Sequence, residues 1–211
     1  MSLTLTDRDF TILEALVFQV RLLSVRLVAE LWWPGGLNQR QARKRLEQLS
    51  KSGFVELHVI NARSLAHTTE PLFTWNPNDT EPDFEMLSKE ARDRWQNTTK
   101  PTTVCVASKQ SASLLGNRTS GLPAAERWDH ELRLCFAFAR YQNDNPESLG
   151  RWVGSQGLLG ADERLKKLDA WFVHKNCHVT KAIKSTGRTD ADRLSNFHQH
   201  CLANNLPYEL W

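Results

Sequence analysis

Hydrophobic residues in the first twenty positions recur every three or four residues, the spacing of one face of an α-helix. The pattern predicts a helix from Thr6 to Val20. Thr6 can cap its N-terminus, and Asp9 follows three residues later, as in a capping box with Asp in place of the usual Glu. The apolar face consists of Phe10, Leu13, Leu16, Val17 and Val20.

Two further helices are predicted before residue 53. The first begins after Ser24 and ends at Pro34-Gly35-Gly36, because proline cannot continue a helix and glycine accepts a positive φ. The second runs from Asn38 to Ser52 and ends at Gly53. Their inward-facing positions are Leu27, Val28, Leu31 and Trp32 in the first and Ala42, Leu46 and Leu49 in the second.

A strand-like run at 54–60, a polar loop at 61–70 and a second strand at 72–75 resemble a β-hairpin wing. Three helices followed by a wing predict a winged helix-turn-helix over residues 1–78. Residues 79–121 are expected to form a connection, with a linking helix at 81–96. The Thr-, Ser- and Gly-rich stretch at 98–121 is predicted to be a linker or mobile loop around a short strand at 104–107.

Residues 122–211 predict a second, α/β domain. Its expected elements are a helix at 123–141, a strand beginning at 152, strands at 168–173 and 179–184 joined by a tight turn, a helix at 190–202 and a last strand at 206–211. The fold class is therefore α+β: an N-terminal winged helix-turn-helix plus a C-terminal α/β domain.

Composition excludes few functions. The net charge is only +3, so nucleic-acid binding has to be argued from local clusters of charge. No apolar run reaches the length of a membrane span, and the N-terminus lacks the pattern of a signal peptide. The four cysteines are widely spaced and indicate reduced thiols. We expect a cytoplasmic protein without a membrane partner.

The predicted helix at 38–52 carries the clearest chemistry, since five basic residues stand against one acid, Glu47. Arginine pairs with guanine, and glutamine or asparagine pairs with adenine, so this helix is expected to bind double-stranded DNA. Arg63 and His67 would extend the contact from the wing. The predicted base contacts are Gln39, Arg40, Gln41 and Lys44, with Asn38 at the helix start. The predicted phosphate contacts are Arg43, Arg45 and Lys51.

Two alternatives stay open for this helix. Its charges could form an ordinary solvated face, or they could contact an acidic protein partner. A site-specific DNA-binding factor would also be expected to form a homodimer, because paired half-sites require two recognition helices.

Three segments resemble the opening of the replication-relaxation family, whose members are linked to plasmid replication and DNA relaxation and occur on mobile elements. They are LTDRDFTILEAL, RLLSVRLVAELW and ARKRLEQLSKSGFVEL. The resemblance continues with a His-Glu helix at 128–132, a strand carrying an Asp at 168–170, a further strand and a helix. It implies a winged helix followed by a nuclease-like order of elements.

The second half also resembles the PD-(D/E)XK nuclease core, in which carboxylates on two strands bind a divalent metal. Asp169 fits the first position, but the next strand reads Lys181-Ala182-Ile183-Lys184 and lacks the second carboxylate. Glu131 could supply one from the helix. Glu131, Asp169 and Lys184 are the only catalytic candidates, and the missing carboxylate favours a protein without enzyme activity or cofactor. A metal-dependent DNA nuclease, which would need Mg²⁺, stays open as an alternative.

Without catalysis, the same scaffold would serve DNA or protein contact, with Lys181, Lys184 and Arg188 on phosphates. Histidines and cysteines near the C-terminus have zinc-ligand chemistry, but their spacing matches no closed zinc module, so no metal site is predicted. The residues concerned are His174, Cys177, His178, His198, His200 and Cys201. The tryptophans of this half, Trp128, Trp152, Trp171 and Trp211, are expected in the core rather than stacked on bases.

Overall fold

A computed structural model describes residues 3–33, 39–63, 70–94, 98–144, 152–157, 168–174, 178–187 and 189–211. These residues form a mixed α+β structure. The α-helices are α1 (Asp7–Glu14), α2 (Val25–Trp32), α3 (Gln39–Lys51), α4 (Phe84–Arg94), α5 (Lys109–Leu114), α6 (Trp128–Asp144) and α7 (Ala191–Ala203). The strands are β1 (Leu23–Ser24), β2 (Val55–Arg63), β3 (Phe73–Trp75), β4 (Thr99–Ala107), β5 (Trp152–Gly154), β6 (Ala170–Val173), β7 (Val179–Lys184) and β8 (Tyr208–Leu210).

The predicted capping box begins α1. The Thr6 backbone NH donates to Asp9 Oδ2 at 2.7 Å, and the Asp9 NH donates to Thr6 Oγ1 at 3.3 Å. The predicted helix continues past α1 as a π-helix, Ala15–Gln19, instead of an α-helix. Its widened turn offers carbonyls to the C-terminal part of the chain, since Trp152 Nε1 donates to the Gln19 carbonyl at 3.0 Å.

The other two predicted N-terminal helices are confirmed as α2 and α3. Ser24 Oγ caps α2 by accepting from the Leu27 NH at 3.2 Å. Gly53 ends α3 with φ +80°, and the Phe54 NH donates to the Leu49 carbonyl at 2.9 Å, as in a Schellman motif. Residues 34–38 lie outside the described residues, so the predicted Gly-Gly turn and the Asn38 cap are not seen.

A buried ion pair joins α3 to the start of α1. Arg45 Nη2 lies 2.5 Å from Asp9 Oδ2, and Arg45 Nε donates to Asp9 Oδ1 at 2.9 Å. Burial alone would raise the pKa of Asp9, but hydrogen bonds from Arg45 and Thr6 outweigh it, and this pKa is lowered. The two-pronged contact fixes the rotation of α3 about its own axis.

The N-terminal sheet has the order β1-β4-β2, and both pairings are antiparallel. β2 and β4 pair along nine residues each, from Val55 opposite Ala107 to Arg63 opposite Thr99. We call this pair the β2–β4 ribbon. The predicted wing partner at 72–75 is therefore wrong. That segment forms β3, which pairs with β8 in the other sheet, because Trp75 stacks on Tyr208 in the C-terminal core.

The predicted linker at 98–121 is also wrong, because it contains β4 and α5. Val104, Cys105 and Val106 are completely buried, so β4 is the central strand of the N-terminal sheet. The hydroxyl-rich composition serves local hydrogen bonds instead. Ser108 Oγ caps α5 and donates to the Gly53 carbonyl at 2.5 Å.

The second sheet has the order β3-β8-β7-β6-β5, and only the β7–β8 pairing is parallel. Its strands alternate between two hydrophobic clusters. Phe172 and Ile183 face the cluster shared with α6 and the N-terminal helices, whereas Trp171 and Ala182 face the cluster that includes residues of α4 and α7. The predicted helices and strands of this half are confirmed; the turn at 175–176 lies outside the described residues.

We predict that Asp9→Ala lowers the free energy of unfolding by about 3 kcal/mol, because it removes the capping box and leaves Arg45 without its buried carboxylate. Chemical denaturation at neutral pH measures this change. The matched control is Glu30→Ala, which breaks the exposed Arg26–Glu30 pair and should cost less than about 0.5 kcal/mol.

The loss of stability caused by Asp9→Ala also depends on pH. Since the pKa of Asp9 in the folded chain lies below its usual 3.8, the stabilisation from its charge is complete above about pH 4. It is lost as the pH falls through the lowered folded-state pKa. Equal effects of the two substitutions at neutral pH would contradict the structural role of Asp9.

Candidate nucleic-acid interface

The outer face of α3 is basic, polar and exposed. It lies opposite Ala42, Leu46 and Leu49, which are completely buried. Arg40, Gln41 and Lys44 make no hydrogen bond or ion pair with any described residue. These three side chains are therefore available to a ligand. The full set of exposed candidates on α3 is Gln39, Arg40, Gln41, Arg43, Lys44 and Lys51.

Arg43 differs from this set in having a partner. Its Nε lies 3.5 Å from Glu47 Oε1, and both side chains are more than half exposed. An exposed pair of this kind contributes little to stability and is easily exchanged for another anion. Arg43 therefore stays a candidate phosphate contact.

Arg45 has a different role from the predicted phosphate contact. Its side chain is only 21% exposed and pairs with Asp9, and its guanidinium also donates to the Thr4 carbonyl at 2.9 Å and to Gln48 Oε1 at 3.1 Å. The hydrogen bond with Asp9 raises the pKa of Arg45. Its guanidinium donates hydrogen bonds within the protein, and Arg45 is therefore not counted in the candidate interface.

Arg63 ends β2 beside the N-terminus of α6. Its backbone NH donates to Asp129 Oδ1 at 2.9 Å, and its Nε lies 3.7 Å from Asp129 Oδ2. The carboxylate offsets part of the arginine's charge, so Arg63 is a weaker phosphate contact than the sequence suggests. Lys100, on the paired strand, is exposed. His67 lies outside the described residues.

A groove of about 280 Å³ separates the start of α3 from the β2–β4 ribbon, and we call it the Arg26 groove. Its polar lining comes from Arg26, Gln39, Arg43, Arg63, Thr102 and Thr103. Guanidinium, amide and hydroxyl groups are the donors that proteins use to contact the backbone of a nucleic acid. Sequence reasoning missed Lys100 and the threonines because it treated 98–121 as a linker; the β-branched run Thr102-Thr103-Val104 was the available signal. It missed Arg26 because only the buried side of that helix was considered.

The C-terminal candidates Asp169 and Lys184 lie together. Lys184 Nζ is 3.3 Å from Asp169, the Ser185 NH donates to Asp169 Oδ2 at 2.9 Å, and His130 Nε2 lies 3.5 Å from Asp169 Oδ1. Glu131 is buried and pairs instead with Arg127 at 3.0 Å. Burial raises the pKa of Glu131, although the interactions with His130 and Arg127 act to lower it.

The described residues around Asp169 do not form the pair of carboxylates that the nuclease resemblance implies. Both oxygens of Asp169 already face donors, and the β7 position that would carry a second carboxylate is the buried Ala182. Among the described residues, no group of three His, Cys, Asp or Glu side chains is arranged to hold a metal ion.

Lys181 belongs to a buried polar network rather than to a surface. Its Nζ lies 2.8 Å from Glu209 Oε1, which also accepts from the Tyr141 hydroxyl at 2.5 Å. Trp211 Nε1 donates to the other Glu209 oxygen at 2.9 Å. The network ties α6, β7 and β8 together and engages the Lys181 ammonium, which disfavours the predicted phosphate contact at Lys181. Arg188 lies outside the described residues.

Two of the zinc candidates, His198 and Cys201, are buried in the C-terminal core. His198 is buried with its Nδ1 3.0 Å from the Tyr208 hydroxyl, and burial lowers its pKa. Burial also raises the pKa of the Cys201 thiol to about 12. Cys177 lies outside the described residues. Trp152, Trp171 and Trp211 are buried as predicted, and Trp128 packs against the core.

Comparison with known proteins identifies no relative. No protein-family model matches the sequence, no curated protein matches it, and no solved structure matches the fold. The resemblance to the replication-relaxation family therefore stays a prediction. Within the described ranges, no helix has both the length and the apolar character that crossing a membrane requires.

We predict that Lys181→Met lowers the free energy of unfolding by about 2 kcal/mol, because it leaves the buried Glu209 carboxylate without its cation. DNA affinity should stay unchanged, since Lys181 faces the network. Denaturation and a DNA titration measure the two effects, with Lys89→Met on the exposed face of α4 as the control that changes neither. A Lys181→Met chain of normal stability and reduced DNA affinity would place this lysine at the interface.

Proposed function

We propose that this chain binds double-stranded DNA as a winged helix-turn-helix protein. In this proposal α3 enters the major groove and the β2–β4 ribbon is the wing. The observation that carries it is the outer face of α3, where Arg40, Gln41 and Lys44 are exposed and have no partner among the described residues. A solvated helix face could have this composition, but the adjoining Arg26 groove, lined by three arginines, favours binding of a polyanion.

The chemistry of base recognition supports this assignment. The first turns of a recognition helix meet base edges, and Gln39, Arg40 and Gln41 stand in the first turn of α3. An arginine can bind guanine through two hydrogen bonds, and a glutamine can bind adenine in the same way. The sequence specificity of the protein would depend on these side chains.

Phosphate contacts would come from α3, α2 and the β2–β4 ribbon. Arg43 and Lys51 project from α3, Arg26 from α2, and Lys100 from the ribbon, with Arg63 in a weaker role. Such contacts position the protein on the duplex without reading its sequence. Their number makes the affinity strongly dependent on salt.

The C-terminal half is proposed to lack nuclease activity and to act as a scaffold. The sequence resemblance implies a nuclease-like order of elements for this half, but Asp169 faces Lys184 rather than a second carboxylate. The sequence resemblance supports a role in replication or transcription control on a mobile element. The missing second carboxylate supports such a role without cleavage of DNA.

The direct test is the double substitution Arg40→Ala/Lys44→Ala. Binding to a duplex selected from random sequences should weaken about 100-fold, since each lost contact is worth roughly 1–2 kcal/mol. The salt dependence of binding, as log K against log salt concentration, should become shallower by about one to two units. Fluorescence anisotropy at several salt concentrations measures both.

The matched control removes the same charge elsewhere. Lys89→Ala/Arg92→Ala changes two exposed cations on α4 and should leave selected-site affinity close to that of the unmodified chain. Equal losses in both double variants would show that binding is only non-specific attraction. Duplex binding that is absent in the unmodified chain would favour a protein-interaction module and would reject the proposal.

A further inference from the structure

A cavity of about 480 Å³ opens between the first turn of α6, the end of β7 and the first turns of α7. We call it the Ser185 cavity. Its lining combines two cationic side chains, an imidazole, two hydroxyls, an amide, one carboxylate and an aromatic ring. These belong to His130, Lys184, Arg193, Ser185, Thr189, Asn196, Asp169 and Phe197. The fold thus gathers hydrogen-bond donors from two distant parts of the chain, residue 130 and residues 184–196.

Ser185 is the most informative residue of the cavity. It is only 4% exposed, and its Oγ has no hydrogen-bond partner among the described residues. Its backbone NH, by contrast, is fixed on Asp169 Oδ2 at 2.9 Å. A buried hydroxyl without a partner is costly, and the cost is removed when a ligand accepts its hydrogen bond.

The charges around Ser185 favour an anion. Asp169 accepts from Lys184 Nζ at 3.3 Å and lies 3.5 Å from His130 Nε2, so it holds both side chains at the cavity wall. Arg193 contributes a further guanidinium at the edge, where its Nε is 3.4 Å from Asp190 Oδ2. Because both Asp169 oxygens are engaged, the carboxylate positions these donors and is not open to a cation.

We propose that the Ser185 cavity binds a phosphate group, either as free inorganic phosphate or at the 5′ end of a DNA strand. Ser185 Oγ, Lys184 Nζ and the side chains of His130 and Arg193 are its donors, and Asn196 adds an amide. Several charge-assisted hydrogen bonds on one tetrahedral anion are individually stronger than neutral ones. The site is independent of DNA recognition by α3, because none of its donors lies on α3 or on the β2–β4 ribbon.

The test uses Ser185→Ala in the full chain. The substitution removes one hydroxyl that has no partner among the described residues, so the melting temperature should stay the same or rise. Titration with inorganic phosphate, followed by calorimetry at low ionic strength, should show saturable binding by the unmodified chain. Binding by Ser185→Ala should be at least about tenfold weaker, the effect of one lost hydrogen bond to an anion. Lys89→Ala is the control and should bind phosphate like the unmodified chain.

A second arm identifies the source of the phosphate. A short single-stranded oligonucleotide with a 5′ phosphate is compared with its 5′-hydroxyl form, in the Arg40→Ala/Lys44→Ala background that removes the α3 contacts. A preference for the 5′ phosphate that Ser185→Ala abolishes assigns a DNA end. Saturable inorganic phosphate binding without this preference assigns free phosphate. No saturable phosphate binding, or equal affinities for Ser185→Ala and Lys89→Ala, would overturn the proposal.

Discussion

The bidentate ion pair between Arg45 and Asp9 sets the orientation on which the proposed interface depends. Asp9 also closes the capping box with Thr6, so one buried carboxylate both starts α1 and binds α3. With the Arg45 side of α3 fixed against α1 and Leu46 completely buried, rotation of this helix is excluded by charge and by packing. Arg40 and Lys44 are consequently held outward.

The C-terminal half supports this arrangement at several points. The π-helix presents the Gln19 carbonyl to Trp152, and Gly154 lies so close to that carbonyl that an added Cβ would clash with it. On the other side, Asp129 of α6 binds the last residue of β2. The proposed wing and the N-terminal helices are thus both attached to the C-terminal half, one through α6 and the other through β5, which favours a rigid presentation of α3.

The elements that could be predicted from sequence are those determined by interactions between residues close together in the chain. The capping box at Thr6, the cap at Ser24, the positive φ at Gly53 and the buried faces of α2 and α3 all follow from local spacing. Strand pairing depends on partners far along the chain, so β2 could not be matched to β4 from pattern alone. Nor could sequence separate Lys181, which pairs with the buried Glu209, from Lys44, which faces solvent.

The most direct test of the central claim is protection of lysines from an amine-acylating reagent on addition of the selected duplex, with mass spectrometry giving the rate at each site. Lys44 and Lys51 on α3 should react several-fold more slowly in the complex, because DNA phosphates and bases cover them. Lys89, exposed on α4, should react at the same rate with and without DNA. Unchanged reactivity of Lys44 in a saturated complex would contradict the assignment of α3 as the recognition helix.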